Sequence, residues 1–194
     1  GAGIFLENPS GVVTIDNVSI SATNFGGIDI FASSAAPAVV FRMRDSEIRT
    51  AQGLAVTWRS AANFDFALRD SVFEADSSDA INVFAESTAD SVLLLENNTF
   101  ENIATSSVSV QMGADGTVAL LDIESVTTAA SSSFFGAVEC EGGSGTASLS
   151  CGIDRHQVSG LTPPVNGECF QLLNVLEAQV IASTCEIPLT RGVD

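Results

Sequence analysis

The feature that most constrains this chain is a motif that recurs about every 26 residues. It appears at 13–20 (VTIDNVSI), 41–48 (FRMRDSEI), 66–73 (FALRDSVF), 93–100 (LLLENNTF) and 119–126 (ALLDIESV). A second short run follows the first four copies, at 28–30, 54–56, 81–83 and 108–110. Each run alternates with the period of a β-strand. One such unit is too small to bury its own inner face. Stacked units do so, at about 4.8 Å per step, which predicts a solenoid of parallel strands.

Superposing the copies yields columns. Val13, Phe41, Phe66, Leu93 and Ala119 form one inward column, and Ile15, Met43, Leu68, Leu95 and Leu121 the next. Ile20, Ile48, Phe73, Phe100 and Val126 form a third, beyond a bend. The second run adds Ile28, Leu54, Ile81 and Val108, then Ile30, Val56, Val83 and Val110. Trp58 falls in an inward column with Ala32, Ala85 and Met112. At the bend stand Asn17, Asp45, Asp70 and Asn97, short polar residues that bond turn backbone and tolerate unusual dihedrals.

The pattern apolar-x-apolar-x-[Asp/Asn]-[Ser/Asn]-x-apolar, followed by apolar-x-apolar, resembles the right-handed parallel β-helix superfamily, the pectate-lyase-like fold. The resemblance covers residues 11–126. It implies an all-β, right-handed parallel β-helix with a regular part at 1–126. Residues 127–194 complete the same domain as less regular, Cys-containing final rungs and a cap. Within 168–182 both a strand and a short capping helix fit the pattern. Similarity to the polysaccharide lyases of this fold would imply an Arg base beside calcium-holding Asp residues. Similarity to its glycoside hydrolases would imply outward Asp pairs on adjacent rungs. No such carboxylate cluster is found, so no catalytic residue is assigned, and a lyase or hydrolase is the enzyme alternative.

Charge narrows the partners. The net charge is -17, and all seven basic residues are Arg. That excess argues against binding nucleic acid or an anionic membrane. No apolar run is long enough to span a bilayer, and no leader-like segment stands at Gly1. The four cysteines, Cys140, Cys151, Cys169 and Cys185, lack metal-site spacing. Their even number and late clustering point to two disulfides and an extracellular or cell-surface setting. Of the three connectivities, nearest-neighbour pairing, Cys140–Cys151 and Cys169–Cys185, is the one expected.

Three groups of outward residues are candidates. Asp16, Arg44, Arg69, Glu96 and Asp122 share one outward column, and Thr14, Arg42, Ala67, Leu94 and Leu120 the other. Asp16 should meet Arg44, and Arg69 should meet Glu96, as an ion-pair ladder. Alternatively Arg42, Arg44 and Arg69 form a fork for carboxylates or sulfates, as on an acidic polysaccharide. Phe31, Phe84, Leu94 and Leu120 are apolar at outward positions and mark an assembly surface or a covered face. His156 beside Asp154 has no registered nucleophile and reads as structural. No metal site or cofactor is assigned; calcium at Asp76-Ser-Ser-Asp79 is a loose match that a polar turn also explains. The leading expectation is a non-enzymatic surface module, adhesin-like or a self-assembling fibre subunit, that contacts itself or another surface protein. The alternative is a carbohydrate-binding or polysaccharide-processing domain built on the Arg cluster.

Overall fold

The computed structural model describes residues 2–22, 26–34, 36–51, 54–129, 134–143, 147–161 and 169–186, with the side chains at 22, 87–90, 114 and 115 left aside. Every pairing among its strands is parallel, and the chain winds as a right-handed parallel β-helix. Each turn of the coil contributes one strand to each of three faces. The first face runs through Ile4–Glu7, Ile28–Ala32, Val56–Ser60, the start of Ile81–Glu96, the start of Ser106–Ile123, Gly136–Glu141 and Phe170–Leu173. The second runs through Gly11–Asp16, Val39–Arg44, Phe64–Arg69, the ends of the same two long strands, Ser148–Asp154 and Glu177–Ile181. The third stacks seven short strands from Ser19–Ala22 to Thr184–Cys185. Because two strands run through the corner between the first and second faces, those faces merge into one twelve-stranded sheet.

One corner repeats at every level. Asn17, Asp45, Asp70, Asn97, Glu124, Arg155 and Ala182 each adopt a left-handed conformation, with φ between 47° and 56°. The first four are Asn or Asp, which take this conformation at low cost. At Glu124 and Arg155 the stack itself holds the backbone: Glu124 N–H donates to Asp154 C=O at 2.8 Å and Arg155 N–H to Ile181 C=O at 2.9 Å. The next position forms a polar column just inside the corner. Ser46 and Ser71 each donate to a carbonyl two residues back, that of Arg44 and of Arg69, both at 2.7 Å. Ser46 Oγ accepts from Val18 N–H at 3.1 Å and Ser71 Oγ from Ser46 N–H at 3.2 Å. Asn98 continues the series, donating to Leu68 C=O at 3.0 Å.

On the second and third faces the interior follows the expected columns at four levels and slips by one residue at the fifth. Leu93 pairs with Leu120 and Leu95 with Asp122, not with Ala119 and Leu121. Leu120 is 1% exposed, Leu121 45% and Asp122 0%. Thr127, not Val126, occupies the Phe100 column. The corner decides the register: Glu124-Ser125 takes the place of Asp70-Ser71, and a one-residue slip turns every side chain to the other face. The outward assignment of Leu120 and Asp122 is thereby corrected. At the third level Val56 and Trp58, not Leu54 and Val56, align with Ile28 and Ile30. That shift of two keeps the facing and puts Trp58 edge-on to Phe66, with centroids 4.9 Å apart, beside the stacked pair Phe41 and Phe66 at 4.8 Å.

The C-terminal levels continue the stack as strands. Phe170–Leu173 and Glu177–Ile181 are the strand alternative for the region where strand and helix both fitted. Disulfides join Cys140 to Cys151 and Cys169 to Cys185. The first lies in the core, where Cys140 is 1% and Cys151 2% exposed, and ties the first face to the second across the interior. The second joins the start of the last turn of chain to its end, closing it into a ring.

Candidate functional site

Three places carry chemistry, and the second face holds the most charged of them. Arg44 and Arg69 are direct neighbours in one outward column, with Asp16 before them and Glu96 after. Arg42 stands in the adjacent column beside Ala67, whose small side chain leaves a recess. Thr14, Arg42, Met43, Arg44, Ala67 and Arg69 line this shallow groove of about 350 Å³. Each guanidinium in it is held by an acid. Arg44 donates to Asp16 at 2.6 Å, Arg69 pairs with Glu96 at 3.0 Å, and Arg42 pairs with Asp65. The sign order of the column, minus-plus-plus-minus, explains the pairing, because each Arg turns from its like-charged neighbour towards the acid beyond it.

On the third face Arg49 draws three carboxylates together: Glu47, Glu74 and, at 3.1 Å, Glu101. Asn102 donates to Glu74 at 2.7 Å, and this bond, ahead of Arg49, holds the Glu74 carboxyl below its ordinary value. On the outer side of the first face, Asp79 accepts from the Thr105 hydroxyl at 2.5 Å and from Ser106 N–H at 3.1 Å. Asp79 thus ties its level to the next one. Glu139 lies across from Ser109, and burial pushes its carboxyl up.

The apolar candidates separate. Phe31 and Phe84 stand in one outward column with Arg59 between them, and Phe31 is 39% exposed. Leu94 is outward and half-buried, and its neighbour at the next level is Leu121, which takes the surface place expected of Leu120. Val92 is also exposed on this face.

The third place was not visible in the sequence. Asp122 and His156 meet in the core, both without exposure, through Oδ2 and Nδ1. The other imidazole nitrogen, Nε2, contacts Thr127 Oγ1 at 2.8 Å, and that hydroxyl contacts Ser107 Oγ at 2.7 Å. Ser125 donates to the second Asp122 oxygen at 2.6 Å. The carboxylate, imidazole and hydroxyl sequence has the order of a nucleophile relay. Its burial from solvent leaves no place for a substrate, so it works as an internal polar strut. Asp154, two residues before His156, takes no part in it; its carboxylate binds Arg155 at 3.0 Å. The signal that locates the strut is the Ser column: aligning Ser125 with Ser71 turns Asp122 inward.

Among the described residues no three His, Cys, Asp or Glu side chains converge as a metal site. No helix among them is long and apolar enough to cross a membrane. The fold defines the class, a right-handed parallel β-helix consistent with the pectate-lyase-like superfamily. No protein-family model matches the chain, and neither a curated protein nor a solved structure matches it.

Proposed function

We propose that this β-helix is a rigid, non-enzymatic structural module of the extracellular or cell-surface space, working through contact with copies of itself or with another surface protein. The observation that carries the reading is the state of the Arg groove. Arg42, Arg44 and Arg69 are each engaged by a carboxylate of the same face. An acidic sugar would have to displace those acids and approach a chain of net charge -17. Beside that self-neutralised ladder stand Val92, Leu94 and Leu121, apolar and outward on neighbouring levels. Two disulfides suit an oxidising compartment.

The test sets the two surfaces against each other. Light scattering across a concentration series and a screen of acidic glycans are run on the protein and on the Arg42→Ala/Arg44→Ala variant. Concentration-dependent growth with no glycan signal is expected. A monomer that binds acidic glycan and loses it in the variant would refute the proposal and favour the carbohydrate-binding alternative.

A further inference from the structure

One arginine escapes the pairing that engages the others. Arg42, Arg44, Arg49, Arg69 and Arg155 are each held by carboxylates of this chain. Arg59 is exposed on the outward side of the first face, and among the described residues no acid pairs with it. Its column explains why. From the second level to the seventh it reads Phe31, Arg59, Phe84, Gln111, Glu141 and Leu173. Both neighbours of Arg59 are therefore aromatic, and the acid of the column stands three levels away. Glu141 is exposed too, with no cation paired to it among the described residues.

The column has two unlike halves. The second and third levels present Phe31, 39% exposed, and the Arg59 guanidinium. The fourth to seventh levels border a groove of about 510 Å³ between Phe84, Gln111, Glu141 and Asn174. Gly142 and Gly143 lie along it and add no side chain to fill it. One half thus carries an apolar ring and a free cation, and the other a recess with a free carboxylate.

Resting on the structural-module reading above, we propose that a second copy of this chain docks here, first face against first face. The twofold axis runs along the strand direction, between the fourth and fifth levels. Such a rotation keeps each column on itself and reverses the order of its levels. Arg59 then meets Glu141 of the other copy, Phe31 meets Leu173 and Phe84 meets Gln111, and every contact occurs twice. In the adjoining outward column Asp29 meets Gln171 and Thr57 meets Glu139, so no like charges face each other. Other registers lose the match. Sliding one copy by one level sets Arg59 against Gln111 or Leu173. The register that gives Arg59 the acid Glu7 stacks Phe31 on Phe31 and leaves the groove unfilled. The contact is isologous, with coil axes antiparallel, and closes as a dimer. Six levels span about 24 Å at about 4.8 Å per step, which suits a small interface and micromolar dissociation.

The test is charge reversal and its rescue in the full chain, with far-UV circular dichroism confirming the fold of each variant. Sedimentation velocity from about 1 µM to about 1 mM should show the parent passing from monomer to dimer and no further. Arg59→Glu and Glu141→Arg should each weaken the dimer by roughly 10-fold or more, since each sets two like-charged pairs across the axis. Combining them restores opposite charges, and the double variant should return to within about threefold of the parent. The two reversals shift the net charge in opposite directions, so a general charge effect would strengthen one dimer and weaken the other, which would overturn the proposal. Self-association that neither reversal weakens, or a double variant no better than the singles, would also overturn it, while leaving the structural-module reading intact through the Leu94 and Leu121 face. A parent that stays monomeric throughout overturns the dimer, and the module reading falls with it if the acidic glycan screen is positive.

Discussion

Replacing His156 by Phe tests the buried strut most sharply. The imidazole lies almost parallel to the Phe100 ring, with an interplanar angle of 7° and centroids 6.4 Å apart, so a phenyl ring fits the stack. Asp122 would lose its partner and keep only Ser125, while remaining without exposure. Removing one partner of a buried, hydrogen-bonded Asp–His pair costs about 3–5 kcal/mol. Adding Asp122→Leu should reverse the loss. Leu at that position stands between Leu95 and Ile153, and its burial contributes about 1.5–3 kcal/mol. Ser125 then has the option its column neighbours use, a bond to the carbonyl two residues back, as from Ser46 to Arg44 at 2.7 Å. The Thr127–Ser107 contact survives in both variants. Urea unfolding followed by far-UV circular dichroism at neutral pH should show the single variant destabilised by about 3–5 kcal/mol, and the double variant recovering at least about 2 kcal/mol of it. Equal stability of His156→Phe and the parent, or no recovery on adding Asp122→Leu, would show that the two side chains are not energetically coupled.

The remaining predictions concern titration and covalent links. The folded Glu74 carboxyl lies below its ordinary value of 4.5, so its stabilisation is present above that pH and fades as pH falls through the folded value. Glu74→Gln should cost about 1 kcal/mol in urea unfolding at pH 7 and nothing at low pH. Glu139 has the opposite sign: its raised carboxyl penalises the fold increasingly as pH rises from 4.5 towards the folded value. Glu139→Gln should therefore stabilise at pH 7 and be neutral at low pH, and equal effects at both would refute the burial argument. Reductant should open Cys169–Cys185 before Cys140–Cys151, because the latter pair is at most 2% exposed; mass spectrometry after timed alkylation reads the order. With loop separations of 16 and 11 residues, each bond stabilises by about 3 kcal/mol on the chain-entropy account.

How much of this was legible in the sequence depended on whether a residue's role was local or set by stacking. The corner residues Asn17, Asp45, Asp70 and Asn97 were readable because short polar side chains and the left-handed bend go together. The pairs Asp16–Arg44 and Arg69–Glu96 followed from column position alone. The fifth level misled because Ala119-Leu120-Leu121 offers apolar residues in either frame, and the frame that keeps Asp122 outside looks cheaper. Only His156, 34 residues further along the chain, makes the other frame affordable. Trp58 slipped because alternation fixes which face a side chain takes and leaves shifts of two residues undetermined.

The closed last turn of chain has a mechanical consequence. Hydrogen bonds between levels run along the coil axis, so a pull applied to its ends loads them one level at a time, and the coil yields by unzipping. Unclosed levels each release their full contour as they peel. The last cannot: its 16-residue span between Cys169 and Cys185 is bypassed by the disulfide. About 55 Å of extension stays locked until that bond is reduced. Tension on one terminus thus meets a stop, and the redox state of its surroundings sets how far the chain can be drawn out.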